Sequence, residues 1–230
     1  MQVKLSNVTV KYADKIILDD LTYTFAENKI TCILGRSGAG KTTLLNAVAK
    51  LIPTEGITTA ETAYMFQTPC LIPAVNVFTN VELVLFNSIK DASDRRNTVS
   101  NMLDEVGLKG YEKRMPYTLS GGEKQRVSMA RAFVFPSEVL LMDEPFQSLD
   151  VVLCNRMLQL LAQLNRKSPK TVLYVTHSPE EALQIADNIA VLRNGKLYDV
   201  ACFEDKERPR DLSSLSSSVR SEIYGALMKD

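Results

Sequence analysis

Ile30-Thr31-Cys32-Ile33-Leu34-Gly35-Arg36-Ser37-Gly38-Ala39-Gly40-Lys41-Thr42-Thr43 is the stretch that decides the fold. Its first five residues form a short apolar, β-branched run of the kind buried in a parallel sheet, and Thr42 to Lys50 reads as a helix. Between them, Gly35 to Thr42 fits GxxxxGK[ST], a pattern that holds a nucleoside triphosphate when it joins a strand to a helix. Without Cβ atoms, Gly35, Gly38 and Gly40 can take positive φ. The N–H groups of the loop, including those of Arg36, Ser37 and Ala39, can then converge on phosphate oxygens at a helix N-terminus. Lys41 would bridge the β- and γ-phosphates and the Thr42 hydroxyl would reach Mg²⁺, with Thr43 carrying the loop into the helix.

Upstream, the first 30 or so residues read as short strands with turns around Asn7, Ala13-Asp14 and Glu27-Asn28, an antiparallel flap on the nucleotide core. Downstream, the chain turns helical from about Val77 to Phe135. There Val99, Met102, Leu103 and Val106 share a face and Gly107 supplies a helix end. Glu138 to Met142 and Thr171 to Thr176 return to buried strands around an amphipathic helix, Asn155 to Lys167, with Met157, Leu158, Leu161 and Leu164 inward. The alternation predicts an α/β fold with a mostly parallel sheet and crossover helices. Asn194-Gly195 predicts a tight hairpin between Ile189–Arg193 and Lys196–Val200. From Lys206 the chain is polar and serine-rich, ending in a short helix with Val219, Ile223 and Leu227. The expected organisation is one domain, with residues 1–76 and 136–205 as core and flap, 77–135 as a helical insertion and 206–230 as a tail.

The chain has 230 residues, 45% of them hydrophobic, with 27 basic and 27 acidic side chains. That suffices for a core, makes disorder untenable as the main state, and leaves no global field or basic patch to recruit nucleic acid. Cys32, Cys70, Cys154 and Cys202 are scattered without a CxxC pair, which fits a reducing cytoplasm better than a disulfide framework or a zinc site. The amino terminus lacks signal-peptide order, and no window approaches a membrane span.

Two further constellations bear on chemistry. Val139-Leu140-Leu141-Met142 runs into Asp143-Glu144, paired carboxylates at a strand's carboxyl end, where ligands of open α/β sheets gather. Asp143 would hold Mg²⁺ or its water, and Glu144 would polarise an attacking water as general base. Leu119-Ser120-Gly121-Gly122-Glu123 opens a helix, where free N–H groups form a second anion-binding arrangement. Read alone, Ser120 caps that helix and Glu123 completes a capping box.

With LSGGE in order after the P-loop, the chain resembles the ATP-binding subunit of ABC transporters over essentially its whole length. The resemblance implies ATP and Mg²⁺ as ligands and assigns roles to further residues. Gln67, in Met65-Phe66-Gln67, matches the glutamine that touches Mg²⁺ or the lytic water. Asp150, in Ser148-Leu149-Asp150, matches the loop that crosses to a second subunit. His177, the only histidine, matches the switch residue at the γ-phosphate. Tyr12 matches the aromatic that stacks on adenine; packing in the core is the other reading of the same residue. Ser120, Gly121 and Gly122 would cover ATP bound to the P-loop of a second copy, in a homodimer that closes on ATP. Gln147 stands where many members carry a small residue, and Ser178-Pro179 follows the histidine where Asp is frequent. Pro179 suits the first turn of a helix that Ser178 caps.

Phe66 to Pro73 with Val77-Phe78-Thr79-Asn80-Val81, and Arg208-Pro209-Arg210-Asp211, are similar to the group importing taurine, aliphatic sulfonates, nitrate and thiamine-precursor pyrimidines. The resemblance implies a peripheral location on the cytoplasmic membrane face. It also implies a transmembrane permease docked near Gln67 and Leu71 to Val77, and an extracytoplasmic solute-binding protein. Lipoprotein-release and export ATPases, and soluble ABC ATPases, remain the alternatives.

Overall fold

The computed structural model describes residues 2–203, 208–214 and 217–228. Lys206 and Ser216 of the polar tail lie outside them. Six strands form the central sheet: β3 (Ile30–Leu34), β5 (Thr62–Met65), β6 (Val139–Asp143), β7 (Thr171–Val175), β8 (Asn188–Arg193) and β9 (Lys196–Cys202). Their order is β5-β6-β7-β3-β8-β9, parallel except for β9, which returns antiparallel to β8. Asn194 (φ 50°) and Gly195 (φ 72°) make that return, with both central residues left-handed as a two-residue hairpin turn requires.

β3, β6 and β7 are buried at every position. Because successive side chains point to opposite faces, each strand feeds two cores. Ile30, Cys32 and Leu34 join Leu140, Met142, Val172 and Tyr174 on one face, while Ile33 joins Leu141, Leu173 and Val175 on the other. The first face is covered by α2 (Val77–Glu82), α3 (Ala92–Glu105), α4 (Gly121–Val134), α5 (Val151–Lys167), α6 (Pro179–Ile185) and, through Ile223, α7 (Ser217–Met228). The second is covered by α1 (Lys41–Val48) and a three-stranded antiparallel flap of β1 (Lys4–Tyr12), β2 (Lys15–Thr24) and β4 (Ile57–Thr58).

Two boundaries differ from the sequence-based expectation. Asn7 is not a turn: it lies inside β1 at φ 53°, where the register with β2 shifts, and its Nδ2 donates to Asp20 Oδ1 at 2.8 Å. Asn tolerates the left-handed conformation, so the residue types that signal a turn here make a bulge. α5 begins four residues before Asn155, capped by Asp150, whose carboxylate accepts from the Leu153 N–H at 2.9 Å. Its first turn carries Val151 and Val152, both exposed, and so escapes the amphipathic pattern.

Candidate nucleotide site

The strand ends of β3, β6 and β7 bring the P-loop, the carboxylate pair and the histidine together. Gly38 (φ 78°) and Gly40 (φ 98°) take the left-handed conformations that the loop needs. A Cβ at Gly35 would meet the Leu192 carbonyl oxygen at 2.8 Å, and one at Gly40 would meet Ile17 Cγ2 at 2.7 Å, so backbone and flap close in on the loop from both sides. Lys41 is buried, its ammonium donating to the Gly35 carbonyl at 2.8 Å and the Arg36 carbonyl at 3.2 Å. Its Nζ also lies 3.7 Å from Glu144 Oε1.

Glu144 follows β6 at φ 44°, a strained value for a non-glycine residue, with its N–H donating to the Val175 carbonyl of β7 at 2.9 Å. That backbone turn carries its second carboxylate oxygen to 2.9 Å from His177 Nδ1. The acid is thus held between the P-loop lysine and the histidine that follows β7. Asp143 is buried beside it, with the hydroxyls of Thr42 and Tyr64 near its carboxylate; the Tyr64 hydroxyl donates to Asn46 Oδ1 at 3.2 Å. Burial raises the Asp143 pKa above its ordinary value and the charge of Glu144 adds to the rise, against the opposing effects of Thr42, Lys41 and Tyr64. A buried carboxylate short of compensation beside a threonine hydroxyl is a donor set suited to a hard cation. Among the described residues no group of three or more His, Cys, Asp or Glu could hold a metal by itself. The set suits Mg²⁺, which is bound through one or two protein oxygens with phosphates supplying the rest.

Gln67 leaves β5 two residues after Met65, which pairs with Met142 of β6, so it flanks the carboxylates. Its carbonyl accepts from Gln125 Nε2 of α4 at 3.1 Å, and its own Nε2 donates to Gln147 Oε1. Tyr12 ends β1 and is 50% exposed, outside the hydrophobic clusters, which disfavours the core-packing reading.

Ser120 caps α4: its Oγ accepts from the Glu123 N–H at 3.3 Å while the Ser120 N–H donates to Glu123 Oε2 at 2.7 Å, a reciprocal capping box. Gly121 has open space around its missing Cβ, whereas at Gly122 the space is taken by Leu153 of α5. Ser178 caps α6 by accepting from the Glu181 N–H at 3.3 Å, with Pro179 at its first position.

Several contributors carry no sequence signal. Tyr64 has none as a neighbour of Asp143. Glu181 Oε2 accepts from Tyr174 at 2.6 Å and Thr176 at 2.9 Å, bracing the turn that carries His177. Asn80, fully buried, accepts from the Ile72 N–H at 2.8 Å and donates to the carbonyls of Ile72 and Val75, both at 3.1 Å. It thereby shapes the loop after Gln67. In that loop Ile72 is exposed while Val77 faces the core.

A site of this construction defines a P-loop nucleoside triphosphatase. The chain belongs to the ABC transporter family, whose sequence profile matches residues 18–147. It is 41% identical over 206 residues to "Aliphatic sulfonates import ATP-binding protein SsuB 2" of Frankia alni, covering 86% of this chain and 82% of that protein. It is 40% identical over 232 residues to a protein of the same description from Pseudomonas savastanoi pv. phaseolicola, covering 98% and 83%. Among solved structures, the dimeric post-hydrolysis state of the ATP-binding cassette MJ0796, bound to ADP and Pi, superposes with a TM-score of 0.74 at 28% identity, covering 91% of this chain and all of that one. The chain is therefore an ATP-binding and ATP-hydrolysing transporter subunit. Among the described residues no helix is long and apolar enough to cross a membrane.

Proposed function

We propose that this chain powers the import of a small organic anion of the alkanesulfonate class from the cytoplasmic face of the membrane, as one of two identical ATPase subunits. The single observation that carries the catalytic part is the suspension of Glu144 between Lys41 at 3.7 Å and His177 at 2.9 Å. All three groups thereby surround the place where the terminal phosphate would lie. In this reading the P-loop from Gly35 to Thr43 cradles the phosphates, Tyr12 stacks on adenine, and Thr42, Asp143 and Gln67 hold Mg²⁺ or its water. The cation would supply charge neutralisation of the phosphates. Glu144 orients and deprotonates the attacking water, while His177 senses the γ-phosphate.

Ser120, Gly121, Gly122 and Asp150 serve the nucleotide of the second copy, consistent with the dimeric cassette that this chain resembles. Phe66, Ile72, Leu83 and Phe86 are exposed apolar side chains on the segment after β5 and on the helical region 77–135. They favour that side as the permease docking face. The substrate class rests on the sulfonate importers among its relatives.

The test is co-purification of tagged Glu144→Gln protein with ATP and Mg²⁺ from detergent-solubilised membranes of its own organism. The reading requires a polytopic membrane protein at matching stoichiometry and a solute-binding protein that takes up alkanesulfonates. Ribosomal or DNA-associated partners would defeat it, and a binding protein that ignores sulfonates would remove the substrate class alone.

A further inference from the structure

We propose that Gln147 is a positioning residue that orients the side-chain amide of Gln67, so that its oxygen and not its nitrogen faces the nucleotide's cation. This rests on the reading of Gln67 as a ligand of that cation or its water. The two ends of an amide are nearly equal in size, but only the oxygen can serve a hard cation. An exposed glutamine free to rotate would present the wrong end much of the time. In this chain the Gln67 Nε2 donates to Gln147 Oε1, which commits the nitrogen and leaves Oε1 as the end available to the cation.

The backbone of Gln67 is fixed independently, because its carbonyl accepts from Gln125 at 3.1 Å and Gln125 is buried in α4. Main chain and side chain are therefore held from two directions, by the helix of the Ser120-Gly121-Gly122 segment and by the loop after Glu144. A small residue at position 147 has no side-chain acceptor that reaches Gln67, so the amide orientation is a device of this chain. The opposite arrangement, with the Gln147 nitrogen donating to Gln67 Oε1, would take the oxygen away from the cation and give the opposite experimental sign.

The experiment is ATP binding by titration calorimetry in the non-hydrolysing Glu144→Gln background, repeated across Mg²⁺ concentrations to find the concentration giving half of the gain in affinity. Gln147→Met, similar in size but without an acceptor of comparable strength, should raise that concentration about three- to tenfold, the worth of one hydrogen bond. Gln147→Ser, too short to reach, should do the same. Gln67→Ala should raise it at least as far, and Gln67→Ala/Gln147→Met should match Gln67→Ala, since Gln147 acts only through Gln67. An unchanged or lowered requirement in both Gln147 variants, with Gln67→Ala still raised, overturns the inference and leaves the ligand reading standing. A full further loss in the double variant overturns it too, by showing that Gln147 acts on its own. No change in Gln67→Ala removes the ligand reading and this inference with it.

Discussion

Glu144 shows how a single residue sets the state of the nucleotide site. Its left-handed backbone aims one carboxylate oxygen at Lys41 and the other at His177, so both side chains are engaged by this one acid. On the proposed mechanism the γ-phosphate takes over both partners and leaves Glu144 to a water molecule. Glu144→Gln should keep ATP binding while turnover falls by about 10²–10⁴-fold, the usual worth of a general base; a phosphate-release assay reads this directly. Asp143 makes a prediction of opposite character. Its pKa is raised, chiefly by burial, so between the ordinary value near 3.8 and the folded value the native state holds a proton that the unfolded chain has released. This group's contribution therefore favours folding at acid pH and is lost as pH rises through that window. At neutral pH without nucleotide or metal, Asp143→Asn should raise the melting temperature by about 2–4 °C, the shift that roughly 1 kcal/mol gives at this size. The same variant should lose the stabilisation that Mg²⁺ with ATP gives the parent. Gly40→Ala should abolish nucleotide binding, because its φ of 98° and the 2.7 Å approach to Ile17 leave no room for a Cβ; a fluorescent ATP analogue would report this.

At the scale of elements, α4 joins the Ser120-Gly121-Gly122 segment to the loop after β5. Gln125 holds the carbonyl of Gln67, and Arg131 Nη1 donates to the Cys70 carbonyl at 2.7 Å. Asn80 of α2 closes the same loop from its other end. Asn80→Ala removes part-buried hydrogen bonds to the backbone of Ile72 and Val75, so it should cost about 1 kcal/mol and lower the melting temperature accordingly. It should also reduce permease capture more than ATPase activity. Elements whose residues are read by one neighbour were legible in the sequence: the wholly buried, mostly apolar strands β3, β6 and β7, the Asn194-Gly195 turn and the Ser120–Glu123 cap. What escaped depends on partners distant along the chain. Val151 and Val152 hide the first turn of α5 because they stay exposed, and Asn7 reads as a turn because its bulge depends on Thr22 and Asp20 of the neighbouring strand. The P-loop, the carboxylate pair and His177 stood out as motifs, whereas Tyr64, Asn80, Gln125 and Glu181 acquire their roles from strand order and helix packing alone.

At the scale of the whole molecule, the sheet separates two labours. One face carries the flap and α1 beneath the P-loop, and the other carries the helical region with the exposed end of α4. Ser120, and Val151 and Val152 at 77% and 62% exposure, present polar and apolar surface together on the helical side. Such surface suits a contact that forms and breaks. In the proposed assembly ATP supplies the missing half of that contact, and hydrolysis removes it. Sedimentation velocity on Glu144→Gln protein is the most direct measurement, run with ATP and Mg²⁺ and again with ADP and Mg²⁺. The account predicts a species of twice 25.6 kDa with ATP and a single 25.6 kDa chain with ADP. A single chain under both conditions would contradict ATP-driven closure of two copies.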